Sequence, residues 1–325
     1  MMDLGPGFLI IDKPAGITSH DVVAAVRSVT GVRKVGHTGT LDPFATGVLP
    51  LALGGATRLI EYLDESIKIY DVTIALGSAT DTGDPTGEVV REAPVPALEE
   101  AHINEVLKGF LGDRMQEPPA YSAVKVDGKP LYHYARRGEI KRAKARPIII
   151  HDLELRSWDA TSMDVVITCS RGTYARVLAD EIASALGTAG HLSRLMRTRS
   201  GPFYLEDALS FDRLSALVSD EPDKTWKEVL LRRAAGEERV RWRARDAVRA
   251  DLMPSVRRSI DALSHLPLAD VLPGDARRIR NGGTPPVPPA NTVMGGRYLI
   301  VSGPDVVAVA ERSPRGPRTV KVVKG

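Results

Sequence analysis

Residues 36–50 read GHTGTLDPFATGVLP, three glycines and two prolines in fifteen positions. That density of chain-breaking residues forbids a regular helix, and no long strand is expected across the wider segment from Gly31 to Leu63. A stiff loop of this kind can hold a single side chain in a fixed place, here Asp42 in His37-Thr38-Gly39-Thr40-Leu41-Asp42-Pro43. Taken alone, an Asp-Pro step is more often a turn initiator. The neighbouring segments decide what the carboxylate is for.

Toward the N-terminus, the apolar run Phe8–Ile11 stops at Asp12-Lys13-Pro14 and Gly16, the pattern of a buried strand entering a turn. Thr18, Ser19 and Asp21 are cap candidates for a helix whose stripe is Val22, Val23, Val26 and Val29. Toward the C-terminus, Lys68 to Leu76 (KIYDVTIAL) predicts a strand, followed by a turn from Asp81 to Gly87 and helical periodicity from Leu98 to Leu111. Ile148–Leu155 and Met163–Cys169 predict two more strands, and a helix starts near Thr173, with Gly187 placed to end it. The pattern is mixed α/β. Tyr70 and Tyr174, read singly, are half-buried packing residues, and Arg176 a solvated helix residue.

Between these elements, residues 117–146 carry Tyr121, Tyr132, His133 and Tyr134 among Arg136, Arg137, Lys141, Arg142, Lys144 and Arg146. Rings interleaved with cations suit an arm that contacts nucleic acid, and a solvated loop is the alternative. From Lys224 to Arg258 an Arg-rich stretch containing Trp226 and Trp242 either extends that nucleic-acid surface or forms a solvated helix. Residues 266–325 alternate prolines with the short β-like runs YLIV, VVAVA and TVKVV, which predicts a small β-rich domain, a barrel.

Composition narrows the function classes. The 325 residues suggest about two domains, 43% hydrophobic and 26% charged, a globular balance. No apolar stretch is long enough to span a membrane, and the opening MMDLGPGFLIIDKP lacks a basic leader, so a soluble, cytoplasmic protein is expected. Cys169 is the only cysteine, which excludes an intramolecular disulfide and a Cys-based zinc site, and no metal is expected. Phosphate-loop, dinucleotide-fold, zinc-protease and nucleophile-elbow motifs are all missing. No cofactor is expected.

Six segments then agree in order with one family: DKPAGITSHDVV (Asp12 to Val23), GHTGTLDPFATGVLP, KIYDVTIALGSATDTGDPTG (Lys68 to Gly87), PPAYSAVKVDGKPLYHYARRG (Pro118 to Gly138), CSRGTYARVLADEIASALG (Cys169 to Gly187) and HLSRLMRTRSGPF (His191 to Phe203). Together they resemble the TruB family of tRNA pseudouridine synthases, which modify uridine 55 in the T arm. The resemblance implies an α+β pseudouridine synthase fold, with a mixed, largely antiparallel central sheet flanked by helices, and ADVLPGDARRIRNGGTP (Ala269 to Pro285) is similar, less specifically, to the opening of PUA-like RNA-binding domains, which implies a small C-terminal PUA-like β-barrel. It implies a catalytic domain over residues 1–265, with an RNA-gripping thumb at about 118–146 and the Arg-rich segment at about 221–258, then an RNA-binding domain over 266–325.

Residue by residue, the resemblance makes Asp42 the catalytic aspartate, Tyr70 the ring stacked on the target uracil and Arg176 the ion-pair partner of Asp42. Lys13, His37, Asp84, Tyr174 and Leu195 become substrate-binding residues, and Arg136, Arg137, Lys141 and Arg142 grip RNA from the thumb. Met196 departs from the pattern, standing where the family usually has Arg. The implied partner is the T arm of tRNA, with no guide RNA, no membrane and a monomeric enzyme.

The chemistry fits those residue types. Pseudouridine formation breaks N1–C1′, turns the uracil and rejoins it through C5, an isomerisation that uses neither redox cofactor nor ATP. A carboxylate can attack or stabilise C1′, a nearby guanidinium keeps it ionised, and a ring face holds the freed base. A sugar ester, a glycal and a base adduct remain open as routes. The rival reading, from a different class, is an RNA chaperone that refolds tRNA with catalysis dispensable.

Overall fold

The computed structural model describes residues 4–139, 141–219, 225–231 and 244–323. The chain packs as two compact units, one made of residues 1–43, 47–64 and 202–325, the other of 44–46 and 65–201. Much of the Arg-rich stretch, including Lys224 and Trp242, lies outside the described residues. Among the described residues no helix is long and apolar enough to cross a membrane.

In the first unit, the strand Gly7–Lys13 runs antiparallel to Thr46–Leu53, from Phe8 opposite Ala52 to Lys13 opposite Gly47. It also pairs in parallel with Leu209–Ser210 and antiparallel with Val256–Arg258, so the sheet is mixed. The eight-residue strand Thr46–Leu53 corrects the expectation that residues 31–63 hold no long strand. Pro50 is tolerated because its carbonyl turns to the Thr38 N–H, at 3.1 Å, so the N–H it lacks would face away from the Gly7–Lys13 ladder. Helix Ser19–Thr30 starts from a Thr18 capping box with Asp21 and ends at Gly31 with φ of 67°.

Residues 268–322 supply the strands Leu268–Asp270, Arg297–Ser302, Asp305–Ser313 and Gly316–Val322, paired in that order. Leu299, Val301, Val306 and Val309 share a core with Phe8, Ile10, Val48 and Leu59, while Tyr298, Ile300, Val307 and Ala308 pack with Ala276 and Ile279 of helix Pro273–Arg280. Burial on both sides explains the unbroken apolar runs. Among the described residues no pairing closes these four strands into the expected barrel.

The second unit is built on five antiparallel strands in the order Gly190–Ser200, Lys68–Leu76, Ser162–Cys169, Arg146–Trp158 and Gly112–Gln116. Lys68–Leu76 matches the predicted strand end to end, and its residues alternate buried and half-buried. Helices Glu100–Lys108 and Ala175–Ala185 pack on this sheet. The arm between Gln116 and Arg146 contains a hairpin, Lys125–Val126 with Lys129–Pro130, turning at Asp127 and Gly128 with positive φ, then a short helix, Leu131–Ala135.

Candidate active site

Asp42 is half-buried in the first unit, and its two neighbours are each tied to the segment 13–19. The Ser19 hydroxyl accepts from the Leu41 N–H at 2.9 Å and donates to the Leu41 carbonyl at 3.1 Å. The Pro43 carbonyl accepts from the Gly16 N–H at 2.8 Å and from the Lys13 ammonium at 3.2 Å. Lys13 has no solvent exposure and donates also to the carbonyls of Pro14 and Ile17, at 2.9 and 2.8 Å. The loop position of the carboxylate is therefore fixed through both flanking residues, and Lys13 acts as an internal tie. His37 is half-buried at the end of Val35–His37, with its Cα paired to Leu51. Burial raises the Asp12 carboxyl above its usual range, against the opposing pull of the Gly47 N–H.

In the second unit, Arg176 lies in the first turn of helix Ala175–Ala185 and is only 4% exposed, so the solvated reading fails. Its guanidinium donates to the carbonyl of Thr82 and, at 2.9 Å, to that of Tyr121. Gly83, with φ of 71°, passes so close that a Cβ there would meet Arg176 Cβ at 3.2 Å. The next residue, Asp84, is buried and accepts from the Thr82 hydroxyl at 2.8 Å and from the Thr86 N–H at 2.9 Å, which sets the 82–86 turn. Tyr174, half-buried, occupies the N-cap position of the helix.

Tyr70 is 8% exposed and its Cα pairs with those of Ile167 and Arg197 on the two flanking strands. Two residues earlier on the same face, Lys68 is also buried, bonded to the Ser200 hydroxyl at 3.1 Å and 3.4 Å from a Glu65 carboxylate oxygen. Burial, and then the charge of Arg197, lower its pKa to about 8, with Glu65 opposing. Burial pushes the thiol of Cys169, whose Cα pairs with that of Lys68, up to about 11. Leu195 is buried opposite Val72, and Met196 half-buried opposite Asp71.

On the arm, Arg136, Arg137, Lys141 and Arg142 are exposed. Arg136 sits 5.4 Å from the Tyr132 ring centroid and Lys141 5.7 Å from that of Tyr134. The structure also shows partners that the sequence did not single out. Gln116 is buried, and its amide accepts from the Tyr174 N–H at 2.8 Å and donates to the Tyr174 carbonyl at 3.1 Å. Ser19 was read only as a cap candidate, whereas Thr18 caps and Ser19 ties Leu41.

Comparison with known proteins gives this arrangement a family. Residues 27–175 match the model of the TruB family pseudouridylate synthase N-terminal domain, and residues 176–234 that of the tRNA pseudouridylate synthase B C-terminal domain. The chain belongs to the TruB family. It is an enzyme of the pseudouridine synthase class, an isomerase. A relative from Geobacter sulfurreducens, "tRNA pseudouridine synthase B", is 49% identical over 212 residues, 65% of this chain and 70% of the relative. Another of the same name, from Bacillus licheniformis, is 48% identical over 221 residues, 66% of this chain and 71% of the relative. Among solved structures, a chain of a Cbf5–Nop10–Gar1 complex superposes with a TM-score of 0.67 and 25% identity, covering 99% of this chain and 85% of that one. The fold is that of the pseudouridine synthases. Neither family model reaches residues 266–325.

Proposed function

We propose that this TruB-family enzyme isomerises uridine 55 in the T arm of tRNA to pseudouridine, acting as a monomer in the cytoplasm without cofactor or guide RNA. Asp42 is the group that attacks or stabilises the reacting carbon on a flipped-out nucleotide, Arg176 keeps its carboxylate ionised, and Tyr70 stacks on the uracil. Lys13, His37, Asp84, Tyr174 and Leu195 serve the substrate pocket. The exposed cations of the arm offset the cost of flipping by contacts to phosphate, with a steep dependence on salt. Residues 1–265 form the catalytic domain, and 266–325 act as a PUA-like RNA-binding domain, its helix Pro273–Arg280 offering Arg277, Arg278 and Arg280 in the last turn.

The observation that carries this reading is the double tie on Asp42, from Ser19 to Leu41 and from Lys13 and Gly16 to Pro43. A turn-initiating aspartate has no need of it, whereas a reacting carboxylate gains from being held in place before substrate arrives. The test is release of tritium from C5 of uridine in an unmodified tRNA transcript, with no added cofactor. Release stoichiometric with tRNA is expected from the wild type, and a rate at least about 10³-fold lower from Asp42→Asn at unchanged tRNA binding. A wild-type protein that binds the transcript without releasing tritium would overturn the isomerase reading in favour of an RNA chaperone.

A further inference from the structure

The start of the helix that carries Arg176 has no side-chain cap of its own: Tyr174 occupies the N-cap and makes no capping bond. Its place is set instead from a strand distant in sequence. Gln116, 3% exposed, ends the strand Gly112–Gln116 and uses both halves of its amide on the Tyr174 backbone, as a neighbouring strand would. Two residues beyond Gln116 the basic arm begins, and its Tyr121 lends a carbonyl to the Arg176 guanidinium at 2.9 Å. The ring of the same Tyr121 reaches the Asp81 carboxylate with its hydroxyl at 3.4 Å, on the turn whose Thr82 carbonyl holds the other arm of the guanidinium. The root of the arm, the 81–84 turn and the first turn of the helix are thus cross-linked at Arg176.

We propose that Gln116 is a positioning residue for the isomerisation: it registers the helix start at Tyr174 to the root of the RNA-gripping arm, so that the arm's hold on tRNA is transmitted to the aim of Arg176. The inference rests on the isomerase reading above. An amide fits this task better than an apolar residue of similar size. It gives the Tyr174 N–H its acceptor, adds a second donor to the Tyr174 carbonyl that the Leu178 N–H already bonds at 3.1 Å, and so fixes direction as well as distance. A displacement of Arg176 of the order of an ångström is enough to slow the chemical step without altering RNA contacts made elsewhere.

The experiment measures the single-turnover tritium-release rate and the Kd for full-length tRNA, for wild type, Gln116→Leu and Gln116→Glu. Circular dichroism reports folding. Leucine removes both bonds, and glutamate keeps acceptance from the Tyr174 N–H while losing donation to its carbonyl. The expected result is a rate about ten- to a hundredfold lower in Gln116→Leu, a smaller loss in Gln116→Glu, and Kd within about threefold of wild type in both. A leucine variant within about twofold of wild type, equal losses in the two variants, or a loss confined to Kd would overturn the proposal. If Gln116→Leu does not fold, Gln116→Glu decides: a lowered rate at unchanged Kd supports the role, and an unchanged rate sinks it. Failure of the wild type itself to release tritium falls on the isomerase reading instead.

Discussion

Each unit of the molecule buries a lysine beside a candidate catalytic side chain, and the two are satisfied in different ways. Lys13 gives its hydrogen bonds to the carbonyls of Pro14, Ile17 and Pro43. Lys68 sits between the Glu65 carboxylate and the Ser200 hydroxyl, near the charge of Arg197. The first arrangement uses one cation to join segments thirty residues apart, and its work is geometric. The second balances charge behind Tyr70, and its work is electrostatic. Carbonyl partners do not titrate, whereas the Lys68 cluster pairs the ammonium with a carboxylate and carries a pH signature.

The hardest blow to that contrast is Lys13→Met. It removes the donor from buried carbonyls, while Pro43 keeps only its bond from Gly16. A loss of about 2 to 4 kcal/mol in unfolding free energy is expected, read by urea titration, with tritium release falling further than stability alone explains. Release from a folded variant at the wild-type rate would reduce Lys13 to a packing residue.

A smaller effect is expected at Gly83→Ala in the other unit. There a Cβ meets Arg176 Cβ at 3.2 Å, and the backbone stands in the left-handed region that alanine disfavours. The cost is about 1 to 2 kcal/mol in stability, with a drop in the release rate at constant Kd. Equal losses in rate and in binding would show that the guanidinium is not what the glycine protects.

The smallest effect is the pH signature of Lys68. Its folded pKa, about 8, is depressed below the unfolded lysine range, so between those values the unfolded state binds more protons and stability rises with pH. Cys169, raised to about 11, opposes this as pH climbs through the ordinary thiol value of about 8.5. Thermal melts between about pH 8 and 9 should therefore gain a little stability in the wild type and lose stability in Lys68→Met, where only the opposing thiol remains. A slope that survives the substitution would assign it to other groups.

How much of this was legible in the sequence depends on the range of the physics involved. The strand from Lys68 to Leu76 and the helix from near Thr173 to Gly187 rest on local signals, and both elements formed where those signals put them. Thr46–Leu53 was hidden by Pro50, because composition shows that an N–H is missing but not which way it would have pointed. The partners of the site residues were hidden for a different reason. Ser19 bonds a residue 22 positions away, Gln116 one 58 away and Arg176 others 55 and 94 away, and nothing in the spacing of these residues announces such ties. The family motifs marked the ends of these connections without showing what joined them.

The same division of the chain has a consequence for the order in which the protein is made. The second unit is nearly continuous, residues 65–201 with a three-residue addition, so a ribosome delivers its strands and helices as one block. The first unit cannot finish its core in that way, because Phe8, Ile10 and Val48 share it with Val306, Val309 and Val323. Its opening strands must wait, their apolar faces uncovered, through about 250 further residues of synthesis at roughly 5 to 20 residues per second. The middle of the protein can thus complete its fold first, while the first unit closes its core only as the last strands emerge, tens of seconds after its opening strands were made.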